Sequence, residues 1–131
     1  MQIIREIKEA KAIKNPEDVK EWLDEFKNED REYFIVVGLD TKLKPVYREI
    51  AHIGTLNSSL IHLREVFKKA IVMSCNCIIV AHNHPSGDTK PSENDLKIHK
   101  RIIEAGDLLQ IDILDCFIIG NKEIRSFIDE I

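Results

Sequence analysis

The sequence predicts an α/β or α+β sandwich built around a mixed β-sheet. Short β-branched segments are interspersed with amphipathic helical ones, two of the strands stand close enough to form a hairpin, and 131 residues hold one hydrophobic core of ordinary size. Strands mixed with helices, with a hairpin among them, lead to a mixed sheet. No internal repeat, low-complexity tract or Gly/Ser-rich linker divides the chain.

Each element has its own signal. Asn15 can cap a first helix, Pro16 suits its first position, Glu17 and Asp18 favour its positive end, and Val19, Trp22, Leu23 and Phe26 share one face; the helix should end near Asn28. Residues 32–39, from Glu32 to Leu39, are aromatic and β-branched and read as a buried strand. Asp40 to Lys44 turn the chain into a second strand over Pro45 to Ile53. Turn and cap residues fill Gly54 to Ser59. Leu63, Val66, Phe67, Ala70 and Ile71 then recur at helical spacing. Cys77 to Ala81 is a short buried strand, and it breaks into the polar loop HNHPSGDTKPS. A third helix opens at Ser92, with Asp95 placed to complete a capping box, and closes near Gly106. Ile111 to Ile119 and Glu123 to Ile128 are the last two strands.

Composition narrows the function classes. Hydrophobic residues make up 44% and charged residues 32%, as in a folded globular chain. No apolar run approaches the ~20 residues needed to cross a bilayer, and the N-terminus MQIIREIKEAKAIK interleaves charges where a signal peptide needs an apolar stretch. A cytoplasmic location is expected. The net charge of −4 gives no general attraction to a phosphate backbone, and no basic patch stands out. Cys75, Cys77 and Cys116 are an odd set that suits a reducing compartment. Cys75 and Cys77 resemble half a metal knuckle, but Cys77 opens an apolar run and no second pair completes a zinc site, so they read as core thiols.

Chemistry concentrates in the loop and the helix behind it. In extended backbone, residues two apart face the same side, so His82 and His84 can converge on one ion while Asn83 faces away. Asp95 lies in the first turn of the next helix, and a chain reversal between Pro85 and Pro91 can bring its carboxylate beside them. Two imidazoles and one carboxylate leave a fourth tetrahedral position for water, which separates catalytic zinc from structural zinc. Zinc lowers the pKa of such a water towards ~7. A His-x-His pair alone is unspecific; Pro85, Ser92 and Asp95 at their spacings make the pattern selective.

With those residues in place, the sequence resembles a known family. His82-Asn83-His84-Pro85-Ser86-Gly87 followed by Ser92 and Asp95 is similar to the JAMM metalloprotease motif, and more narrowly to the RadC group of JAB/MPN domains. The segments EYFIVVGLDTK, GTLNSSLIHLREVFKKAI, CIIVAHNHPSGDTKPSENDLKIHKRIIEAG and LDCFIIG follow the RadC pattern, over roughly residues 30 to 128. The resemblance implies an MPN/JAB fold of the cytidine-deaminase-like type, a curved mixed sheet flanked by helices. It divides the chain into a segment over residues 1–29 with one amphipathic helix and a domain over residues 30–131. It further implies a zinc peptidase or isopeptidase in which His82, His84 and Asp95 hold Zn2+, Ser92 helps hold the carbonyl oxyanion, and Glu32, at the head of its strand, is the general base. Glu49, on the far strand, and Glu65, explained by an ion pair with Arg64, are the rivals of Glu32.

His99 lies four residues after Asp95 on the same helix face and reads as a neighbour of the site or a surface residue, while His52 and His62 are ordinary polar positions. Lys97, Lys100 and Arg101 form a solvated face. RadC proteins usually carry a histidine directly after the aspartate of the LD segment, where this chain has Cys116 after Asp115. The helix-hairpin-helix domain usual in the family is not found in the thirty or so residues before the core, so the DNA-repair link in the family's name draws little support here. A catalytically silent scaffold that binds a protein partner is a further alternative, and a homodimer suits a domain of this size.

Overall fold

The computed structural model describes residues 4–131; the first three residues of the charged N-terminal stretch lie outside the described residues. Six strands form one sheet in the order β1-β3-β2-β4-β5-β6. They are β1 (Ile4–Glu6), β2 (Tyr33–Leu39), β3 (Pro45–Ile53), β4 (Cys77–Asn83), β5 (Asp112–Ile119) and β6 (Ile124–Ser126). The β4–β5 pair is parallel and every other pair is antiparallel, so the sheet is mixed as predicted. The hairpin is β2–β3, closed by Asp40, whose carboxylate accepts from the backbone N–H of Lys42 and Lys44 at 2.8 and 3.0 Å. Register breaks at Phe34/Ile35, Gly38/Leu39 and Ile78/Ile79 mark bulges, which bend the strands that carry them.

Alternation along the central strands sorts the core into two halves. Phe34, Val36, Ile78, Val80, Cys116 and Ile118 face the helices α2 (Leu63–Val72) and α3 (Glu93–Leu109). Ile35, Val37, Ile79, Ala81, Phe117 and Ile119 face the N-terminal segment, which contributes Ile13, Val19, Trp22, Leu23 and Phe26. Each valine, leucine, isoleucine or phenylalanine among them, fully buried, contributes about 1.5–3 kcal/mol of transfer free energy. The sheet is therefore covered on both faces, and β2 and β4 are buried along their whole length. Such strands read as continuous apolar runs.

The departures from expectation are local. The first helix is broken into a 3-10 turn (Pro16–Val19), a single α-helical turn α1 (Lys20–Leu23) and another 3-10 turn (Asp24–Phe26). Its side chains follow the sheet surface, and Arg48 of β3 ties it down by donating to the Trp22 carbonyl at 3.2 Å and pairing with Glu25. Ile71 is 53% exposed rather than facing the core. Helix α2 is preceded by His62, not by the Gly54–Ser59 stretch, where Asn57 instead closes a turn on Ser59 and Leu60. Helix α3 runs through Gly106 to Leu109 and stops at Gln110, which takes the left-handed conformation. The last strand shortens to Ile124–Ser126, and β1 was not expected.

Candidate metal centre

The end of β4 and the first turn of α3 build the site. His82 is the penultimate residue of β4 and fully buried; its ring stacks on Phe34, from the adjacent strand, at 6.5 Å between centroids. His84 follows just past the strand, held by its backbone N–H on the Ile119 carbonyl at 3.0 Å. Its Nδ1 lies 2.7 Å from the Asp88 carbonyl. A carbonyl cannot donate, so Nδ1 carries the proton and a neutral ring presents the Nε2 lone pair to the site.

Asp95 reaches both rings. Its Oδ1 is 3.2 Å from His82 Nε2, its Oδ2 is 3.1 Å from His84 Nε2, and the two Nε2 atoms are 3.0 Å apart. The predicted capping box puts it there: Ser92 Oγ accepts from the Asp95 N–H at 3.0 Å, and Asp95 Oδ2 accepts from the Ser92 N–H at 2.9 Å. Burial alone would raise the Asp95 pKa, but the His82 and His84 rings beside it and the hydrogen bond from the Ser92 N–H hold it well below the ordinary carboxylate range. Burial pulls His84 downwards, while Asp95, the Asp88 carbonyl and the charge of Glu32 outweigh it and raise its pKa.

His82, His84 and Asp95 are the one group among the described residues whose ligand atoms gather closely enough for a metal, within 4.8 Å of one another. Their 3.0–3.2 Å separations are close to the roughly 3.3 Å edge of a tetrahedron with ligands about 2.0–2.1 Å from its centre. Two imidazole nitrogens and a carboxylate, all charged or electron-rich, suit a divalent cation. The donor set fits the metal that the sequence implied.

The remaining predicted residues stand around this triad. Glu32, half-buried at the head of β2, accepts the Leu56 N–H at 2.8 Å through Oε2, and its charge is felt at His84. Ser92 Oγ is used as an acceptor by the cap, which leaves its proton free to donate. Glu49 points to α2, where its charged neighbours are Glu65, Lys69 and Lys68. Glu65 makes no ion pair with Arg64 among the described residues. Cys75, Cys77 and Cys116 are buried and free, and burial raises the pKa of each thiol, that of Cys75 to about 11. His99 is 1% exposed and not a surface residue; its Nδ1–H donates to the Asp95 carbonyl at 2.8 Å, and burial, then the charge of His82, lower its pKa to about 3.

Sequence reasoning missed Asn83. Its side chain accepts from Tyr33 N–H at 2.6 Å and donates to the Arg31 carbonyl at 2.8 Å, so it grips the backbone on both sides of Glu32. An amide side chain between the two candidate ligand histidines was the available signal.

A mixed sheet with a His-x-His loop at the end of a central strand and an aspartate in the next helix defines a JAB-type domain. The profile of the RadC-like JAB domain matches residues 13–131, and the chain belongs to that family. Among its relatives, the UPF0758 protein of Desulforamulus reducens is 47% identical over 115 residues, 87% of this chain and 51% of that protein. That of Moorella thermoacetica is 48% identical over 116 residues, 88% and 51% respectively. The UPF0758 protein of Methanosarcina mazei is 42% identical over 121 residues, 92% and 53%. The chain thus spans about half the length of these relatives.

Proposed function

We propose that this domain is a zinc-dependent hydrolase of the JAMM type that cleaves an amide bond in a peptide or isopeptide. The observation that carries the reading is the convergence of His82 Nε2, His84 Nε2 and the Asp95 carboxylate to 3.0–3.2 Å at the head of a capped helix. These three side chains would hold the ion, which supplies Lewis acidity and makes water a nucleophile at neutral pH. Asp95, which accepts the Ser92 N–H and stays ionised, contributes the negative charge. The Asp88 carbonyl fixes the His84 tautomer. Glu32, steadied by the Leu56 N–H, takes the proton of the attacking water and returns it to the leaving amine. The Ser92 hydroxyl, already oriented by its cap bond, donates to the oxyanion as charge develops.

Metal analysis of protein purified without chelator or metal-affinity tag should find about one zinc per chain. A protein that neither contains zinc nor takes it up overturns the proposal. Asp95→Ala should lose the metal. Glu32→Gln should keep it while turnover of a cleavable peptide or isopeptide falls roughly 10²–10⁴-fold. Full activity in that variant removes Glu32 from the role, and loss of zinc would make it a ligand.

A further inference from the structure

Two buried polar atoms without a hydrogen-bond partner, His82 Nδ1 and His99 Nε2, belong to neighbouring rings. The rings lie 5.4 Å apart between centroids at an interplanar angle of 35°. Each ring nitrogen is about 1.1 Å from its ring centre, so two imidazoles joined by an N–H···N bond of about 3 Å have centres roughly 5.2 Å apart. The observed spacing of 5.4 Å is close to that value.

The two atoms are also complementary in kind. His99 Nδ1 faces a carbonyl and must carry a proton, so in the neutral ring Nε2 is an acceptor. Phe34 and Phe127 pack against His99 at 5.7 and 4.8 Å, an apolar cage that disfavours the charged ring. His82 directs Nε2 at Asp95 and His84. When that nitrogen offers its lone pair, the proton sits on Nδ1, which becomes a buried donor without a hydrogen-bond partner among the described residues.

We propose that His99 is a positioning residue that accepts the Nδ1–H of His82, locking the tautomer and ring orientation in which His82 Nε2 serves the site. The inference rests on the reading of His82 as a metal ligand. The His99 ring is anchored to its own helix through the Asp95 carbonyl and spans from α3 to β4, so one side chain links the two elements that supply the ligands. A ligand histidine whose second nitrogen is held this way is both oriented and made more basic.

The test uses the full chain, 15N-labelled, with zinc as the probe. In the zinc-loaded protein the proton of His82 should sit on Nδ1, exchange slowly with water and show a contact to the His99 ring. His99→Phe keeps an aromatic ring in the cage but removes the acceptor, and should raise the zinc dissociation constant about 10–100-fold with the melting temperature little changed. His99→Gln restores an acceptor and should recover most of that affinity. Unchanged zinc affinity in His99→Phe, or a proton on His82 Nε2 in the unmodified protein, overturns the proposal. Should His99→Phe fail to fold, a coupling across the N–H···N bond between His82 Nδ1 and His99 Nε2 in the zinc-loaded unmodified protein decides: its presence supports the proposal and its absence overturns it. A wild-type protein that takes up no zinc refutes the metal reading alone; a coupling across an N–H···N bond between His82 Nδ1 and His99 Nε2 in the metal-free protein then supports the inference, and its absence overturns it.

Discussion

At the scale of the residue, single side chains in this domain serve two neighbours at once. Asp95 completes a helix cap with the same oxygen that meets His84, and Asn83 spans the backbone either side of Glu32. Replacing Asn83 by Ala leaves the Tyr33 N–H buried without its acceptor, a loss of about 1–3 kcal/mol. Urea unfolding should show that loss while zinc content stays at the wild-type level, because the amide faces β2 and not the side chains of His82, His84 and Asp95. A variant that unfolds like the wild type would mean that another group takes over the Tyr33 N–H.

At the scale of the element, the loop from His84 to Pro91 is fastened to the turn after β5. Thr89 donates to Glu123 at 2.8 Å, and Gly87, at φ +86°, lies against Asn121, whose Oδ1 would be 2.8 Å from an added Cβ. Gly87→Ala should therefore cost more than about 1 kcal/mol, since both the left-handed backbone and the contact oppose a side chain. The displaced loop carries His84, so zinc affinity should fall in parallel, measurable by competition with a chromophoric chelator. Local signals made much of this legible: the spacing of His82, His84 and Asp95, the Ser92 cap and the apolar runs of β2 and β4 all lie within short stretches of chain. What was not legible depends on distant partners. Ile4–Glu6 holds one isoleucine and two adjacent charged residues and becomes a strand only because β3 offers an open edge. Residues 16–26 carry good helical patterning but bend to fit the sheet face they cover. Asn83 bonds to backbone fifty positions away, a pairing that no local pattern encodes.

At the scale of the whole molecule, two layers packed on one sheet leave a carboxylate at a disadvantage. Glu49 is half-buried between β3 and α2, one of its oxygens has no partner, and burial followed by the charge of Glu65 raises its pKa above 4.5. The folded state therefore holds that proton more tightly than the unfolded chain. The stability it lends is present below the ordinary value of 4.5 and is lost as pH rises through the raised one. Glu49→Gln should be the more stable protein at neutral pH, and its advantage should shrink as the pH falls towards 4.5; a difference independent of pH would show that the carboxylate titrates normally. The layout of the metal centre has another consequence. All three proposed ligands lie between positions 82 and 95, whereas Glu32 comes from the neighbouring strand β2, about fifty residues earlier in the chain. Closing so short a loop costs a denatured chain little entropy, so the denatured ensemble also competes for the ion. Zinc should then raise the melting temperature by less than its affinity for the native domain implies, because part of the mass-action advantage is spent on the random coil.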